Sequence, residues 1–217
     1  MSTNLKGKAR VAEIFRRLAD ATPEPKTELE FANAYQLLVA VVLSAQATDK
    51  GVNKATRTLF AKVKTPADML ALGEESLTEH IKTIGLFRAK AKNVMGLSRL
   101  LVQQHGGEVP HRRDQLEALP GVGRKTANVV LNCWWGEPTM AVDTHVYRVA
   151  KRLGLSTGTT PRAVEDDLLR IIPQTYLRHA HHWLILHGRY TCTARAPKCA
   201  TCPLSDLCPS AGKLSSN

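Results

Sequence analysis

The chain has 217 residues, enough for one large domain or two small ones around a real core. Its 43% hydrophobic content argues against a disordered polymer, and its longest strictly apolar run, Leu37–Leu43, falls far short of the roughly 20 residues a membrane helix needs. A net charge of +11, from 30 Lys and Arg against 19 Asp and Glu, points to a polyanionic partner, nucleic acid first and an anionic membrane surface second.

In chain order, Met1 to Arg10 is polar and basic with no apolar run behind it. No targeting segment is visible there, so a cytosolic protein is expected, or one associated with the nucleoid through its charge. Val11, Ile14, Phe15 and Leu18 recur at helical spacing and predict an amphipathic helix over 9–20. Thr22 to Lys26 carries two prolines and reads as a linker. The stretch 33–48 is apolar almost all round and predicts a buried helix. Helices follow over 50–60, 65–72, 76–81 and 88–104, each bounded by Pro, Gly or capping residues.

Gly106-Gly107 breaks the chain, and Asp114 with Glu117 resembles a capping box before a short helix that stops at Pro120. Further helices are expected over 124–135, 143–153, 160–172 and 179–187. No run alternates at period two, so the fold class is all-α. One internal echo stands out. Thr83 to Ala91 (TIGLFRAKA) aligns with Leu119 to Ala127 (LPGVGRKTA), and both read as helix, glycine turn and basic helix.

The turn Leu119 to Thr126 is the first feature with chemistry. Gly121 and Gly123 permit positive φ and close backbone approach, and Val122 between them would plug the hairpin. The chain then enters a helix whose N-terminal N–H groups suit a phosphate, with Arg124 beside them. This is a helix–hairpin–helix pattern, whose contact positions a protein on a nucleic acid without reading bases. The plain alternative is an ordinary helix–helix turn.

Lys125 lies in the first turn of that helix. A helix N-terminus and an adjacent arginine disfavour a cation, and a Schiff-base nucleophile must present an uncharged amine. A carboxylate facing the amine would act in the opposite sense. Asp143, at the start of a later helix, is a candidate for that carboxylate or a simple N-cap.

Four of the five cysteines lie within 17 residues, as Cys192-x6-Cys199-x2-Cys202-x5-Cys208. Such a cluster in a cytosolic chain suggests metal binding rather than disulfides. Four thiolates on a compact loop suit a [4Fe–4S] cube, and structural zinc is the alternative. Cys133 reads as a core thiol, and His181, His182 and His187 as packing residues. Arg195 and Lys198 inside the cysteine loop are either phosphate contacts or solvated charges.

Taken together, Leu119 to Asn132, Val142 to His145, His181 to Arg189 and the cysteine spacing resemble the endonuclease III family of helix–hairpin–helix DNA repair enzymes, over about Lys26 to Cys208. The resemblance implies that Lys125 is the nucleophile, Asp143 the catalytic aspartate, and Cys192, Cys199, Cys202 and Cys208 the ligands of a [4Fe–4S] cluster. It also implies that Gln46 replaces the flipped base and Leu86 is an apolar wedge, where residue patterns alone suggest a helix-end glutamine and a core leucine.

By the same resemblance, residues 27–137 form a six-helix barrel carrying the hairpin (about 111–135), and 1–26 joins 138–217 in an iron–sulfur lobe with the cluster loop at 192–208. Duplex DNA would lie in a cleft between the lobes, with Lys125 and Asp143 on its two sides. The partner is duplex DNA with damaged bases or abasic sites, bound by a monomer and without a membrane. The implied activity is excision of oxidised pyrimidines followed by strand nicking. The rivals are a monofunctional glycosylase on the same fold and a non-catalytic DNA-binding module.

Overall fold

The computed structural model describes residues 5–214, and among them it contains helices and turns but no strand. The all-α fold expected from the sequence is therefore the fold observed. Two compact units emerge, one of residues 27–136 and one that joins the chain through Lys26 to the chain from Glu137 onward. Helix α1 (Gly7–Ala21) belongs to the second of these.

The 27–136 unit is built on α2 (Ala34–Leu43), in which every residue from Tyr35 to Leu43 is buried. Asn33 caps it by accepting from the Gln36 N–H, worth about 1 kcal/mol. Burial decides the matter, since each fully buried Leu or Val contributes about 2 kcal/mol. Packed around it are α3 (Asp49–Lys62), α4 (Pro66–Leu72), α5 (Glu74–Ile81), α6 (Phe87–His105), α7 (Arg113–Glu117) and α8 (Arg124–Trp135). The polar atoms of Gln36 are consumed by the backbone. Nε2 donates to the Phe60 and Val63 carbonyls, and Oε1 accepts from the Ala32 N–H.

Two expectations fail in this unit. The buried helix was expected through Thr48 but ends at Leu43, because Gln46 turns to φ 54° and the Thr48 hydroxyl accepts from Gly51 N–H to open α3. The Asp114–Glu117 capping box does not form. Arg112 occupies the cap position, and its guanidinium holds the Asp114 carboxylate at 2.7 and 3.1 Å.

In the other unit, α1 packs its Ile14–Phe15 face into a core shared with α9 (Thr144–Arg152), α10 (Pro161–Ile171) and α11 (Gln174–Tyr190). Helix α11 runs five residues earlier and three later than its expected span, since Leu177 and Gly188 extend its buried face. A Cβ on Gly188 would lie 2.9 Å from His145 Cβ, so glycine sets the close approach of α11 to α9. His181, His182 and His187 are buried, and burial pushes the His182 imidazole down to about 4. Two 3-10 turns, Cys199–Thr201 and Ser205–Leu207, and α12 (Ala211–Leu214) follow.

Candidate functional site

The hairpin between α7 and α8 forms, with positive φ at Gly121 but not at Gly123, whose φ is −91°. The Leu119 carbonyl accepts from Val122 N–H at 3.0 Å, Val122 is buried, and Gly121 sits at φ 77°. The two glycines differ in kind. A Cβ on Gly121 would lie 2.9 Å from the Asn93 side chain, whereas one on Gly123 would meet nothing within 4 Å. Gly123 is the N-cap of α8, and no side chain at that position accepts from the first-turn N–H groups. An outside anion can therefore approach them.

Arg124 lies 3.9 Å from Glu117, while Lys125 is exposed and has no hydrogen-bond or ion-pair partner among the described residues. Burial of Cys133 pushes its thiol up to about 12, leaving it a protonated core group.

Gln46 and Leu86 share one property that the sequence does not display. They are the two non-glycine residues with positive φ among the described residues, at 54° and 59°. Both stand at loop apices of the same unit, and a Cβ on Gly85 would lie 3.9 Å from the Gln46 carbonyl. Leu86 is 59% exposed, so it is not a core leucine, and Gln46 is in a loop rather than on a helix. Left-handed backbone at a leucine costs about 1–2 kcal/mol and persists only where the fold enforces it.

Asp143 caps α9. Its Oδ1 accepts from the His145 and Val146 N–H groups at 2.8 Å each, and Oδ2 has no partner among the described residues. The capping reading and the catalytic reading are thus compatible, since they use different oxygens.

Cys192, Cys199, Cys202 and Cys208 are half-buried free thiols around one pocket, which Leu153 and His187 also line. Among the described residues no three His, Cys, Asp or Glu side chains converge as ligands of one metal ion. Tetrahedral zinc needs all four sulfurs about 2.3 Å from a single centre. A four-iron cube instead offers each thiolate its own iron, which fits sulfurs arranged around a space. Burial raises the Cys202 and Cys208 thiols above the ordinary range, as do the neighbouring cysteines.

The cysteine loop is shaped by its own bonds. The Thr193 hydroxyl donates to the Ala196 carbonyl and Lys198 N–H to the Thr191 carbonyl, while the Arg195 and Lys198 side chains are exposed. Sequence reasoning missed the helices that hold the loop. Arg148 of α9 donates to the Cys192 and Gly188 carbonyls. Arg17 of α1 grips Asp206 at 2.7 and 3.0 Å and the Pro203 carbonyl at 2.8 Å. His187 Nε2 lies 3.7 Å from Cys202 Sγ, so it faces the sulfurs as well as packing. Nothing in the linear pattern marked these residues, because they lie tens of residues from the loop they hold, apart from His187.

Residues 39–174 match the family model described as HhH-GPD superfamily base excision DNA repair protein. Residues 192–208 match that of the iron-sulfur binding domain of endonuclease III. The chain is 57% identical over 198 residues to endonuclease III of Rickettsia conorii, covering 91% of this chain and 94% of that one. It is 54% identical over 201 residues to endonuclease III of Escherichia coli K12, covering 93% and 95%. Among solved structures it resembles a trapped endonuclease III–DNA covalent intermediate, with TM-score 0.90 at 45% identity over 96% of this chain and 99% of that chain. A non-covalent endonuclease III–DNA complex aligns with TM-score 0.92 at 44% identity, covering 98% and 100%. The chain belongs to the endonuclease III family of the helix–hairpin–helix base-excision-repair superfamily.

Proposed function

We propose that this chain is a bifunctional DNA glycosylase and abasic-site lyase that removes oxidised pyrimidines from duplex DNA and nicks the strand 3′ to the vacated site. The observation that carries the reading is Lys125: an exposed, unpartnered amine two residues beyond the Gly123 cap of α8, in a chain of this family. In this reading the hairpin N–H groups hold a backbone phosphate near the lesion and place the amine by the sugar. Residues 27–136 act as the helical barrel that carries the hairpin, and the other unit acts as the iron–sulfur lobe.

A damaged base must leave the stack before an amine can reach C1′, at a cost of a few kcal/mol. Leu86 wedges the stack open and Gln46 occupies the space left behind. The Lys125 Nζ lone pair then forms a bond to C1′ while the glycosidic bond breaks, and the base departs with the glycosidic bonding pair and takes up a proton. Asp143, through Oδ2, stabilises cationic character on the sugar and passes the proton lost by the amine to O4′ as the C1′–O4′ bond breaks and the ring opens to the imine. Loss of a C2′ proton from the ring-opened imine expels the 3′ phosphate and cuts the strand, and water then releases the enzyme.

The four cysteines hold a [4Fe–4S] cluster, which when bound ties the loop into one rigid centre. Arg195 and Lys198 then become fixed cations available to the DNA backbone. Binding of this kind would hold the protein on the nucleoid.

The test is borohydride trapping. Wild-type protein on lesion-bearing duplex should be trapped covalently, and Lys125→Gln should lose trapping, base release and nicking together while still binding DNA. Continued base release by Lys125→Gln, with nicking alone lost, would make water the nucleophile and Lys125 a phosphate contact.

A further inference from the structure

Arg152 closes α9, one turn after Arg148, and its guanidinium turns into the cysteine loop. Nη1 lies 3.5 Å from Cys192 Sγ and donates to the Thr193 carbonyl at 2.7 Å. Nη2 donates to the Ala194 carbonyl at 2.9 Å. The backbone carbonyl of the same residue lies 3.4 Å from Cys208 Sγ. One helical residue thus touches two of the four sulfurs, and both come from outside the Cys199-x2-Cys202 pair. Among the described residues its partners are carbonyls and sulfur, with no carboxylate among them. The guanidinium charge is therefore not neutralised locally. Hydrogen bonds from an ionised donor are about twice as strong as neutral ones, and a planar fork loses little freedom in making several.

Hydrogen bonds to sulfur, net charge and exposure set the reduction potential of an iron–sulfur centre. We propose that Arg152 is a positioning residue for that centre: it fixes the first ligand, Cys192, through the 192–194 backbone, and its N–H···S contact stabilises the more reduced, more negatively charged state. This rests on the cofactor assignment above. Reduction adds one electron to a group that this cation faces. Removing the cation therefore lowers the potential, and at a fixed potential more of the centre is oxidised. Oxidised centres that are held less firmly also release iron faster.

The experiment uses the holoprotein as wild type, Arg152→Gln and Arg152→Lys. Iron and sulfide content is measured first, then the reduction potential by direct voltammetry, then the rate of iron release to a chelator. Arg152→Gln should load the centre, shift the potential to more negative values and release iron several-fold faster. A tenfold fall in the reduced-to-oxidised ratio corresponds to about 59 mV for a one-electron couple. Arg152→Lys keeps the charge but loses the fork, so it should fall between the two. A loaded Arg152→Gln variant with wild-type potential and release rate would overturn the proposal. If Arg152→Gln fails to load, Arg152→Lys decides: wild-type values overturn the proposal, and intermediate values or failure to load on a folded chain support it. Wild-type protein lacking iron and sulfide would instead overturn the cofactor assignment itself.

Discussion

The two hairpin glycines separate folding from binding at single-residue scale. Gly121 is fixed by φ 77° and by the Asn93 side chain 2.9 Å from where a Cβ would stand. Gly121→Ala should therefore cost about 1–3 kcal/mol, read as a lower melting temperature. Gly123 has φ −91° and open space around it, so Gly123→Val should cost only the weaker N-cap, about 1 kcal/mol or less. Its branched side chain would stand where a phosphate approaches, and affinity for undamaged duplex should fall by an order of magnitude or so, as one phosphate contact is worth. Unchanged affinity with an intact fold would remove the hairpin from the DNA interface. Asp143 invites the same separation. Asn is as good an N-cap as Asp, so Asp143→Asn should keep α9 and its stability. Turnover should collapse because the carboxylate charge is gone, whereas Asp143→Ala would confound the result by losing a cap worth about 1 kcal/mol. Full activity in Asp143→Asn would leave Asp143 a cap and nothing more.

At the scale of elements, the loops after α2 and α5 each carry one strained residue at the apex. Leu86 is held in the left-handed region with its side chain 59% exposed, an arrangement that folding alone does not favour. Leu86→Gly should relieve about 1 kcal/mol of backbone strain and leave the melting temperature equal or higher. The same change should slow base excision from duplex DNA more than it slows cleavage of a pre-formed abasic site, since the second substrate needs less unstacking. Equal losses on both substrates would refute the wedge. The echo between Thr83–Ala91 and Leu119–Ala127 takes on meaning here. Both segments are hairpins between helices, but Val122 is buried in its hairpin and Leu86 is turned outward from its own. Sequence similarity matched the topology and missed the reversal, because φ at residue 86 is imposed by packing around the turn and leaves no mark on the leucine.

At the scale of the whole molecule, the +11 charge makes electrostatics the largest contribution to non-specific binding. The logarithm of affinity for undamaged duplex should fall linearly with the logarithm of salt, with slope about −0.9 per phosphate contacted. Arg195→Gln and Lys198→Gln should each flatten that slope by about one contact, and an unchanged slope would return both residues to solvent. What the sequence by itself determined was periodic or local. The helical spacing in α1 and α2, the hairpin with Lys125, and the Cys-x6-Cys-x2-Cys-x5-Cys loop all lie in short windows whose chemistry does not depend on distant residues. The tertiary structure decided everything carried by long-range contacts. It turned Gln46 and Leu86 into strained apices, assigned one oxygen of Asp143 to the α9 backbone, and bound the cysteine loop with Arg17, Arg148 and Arg152 from helices remote in sequence. An arginine's partner is set by where folding brings its flexible side chain, and no spacing rule in a single sequence encodes that.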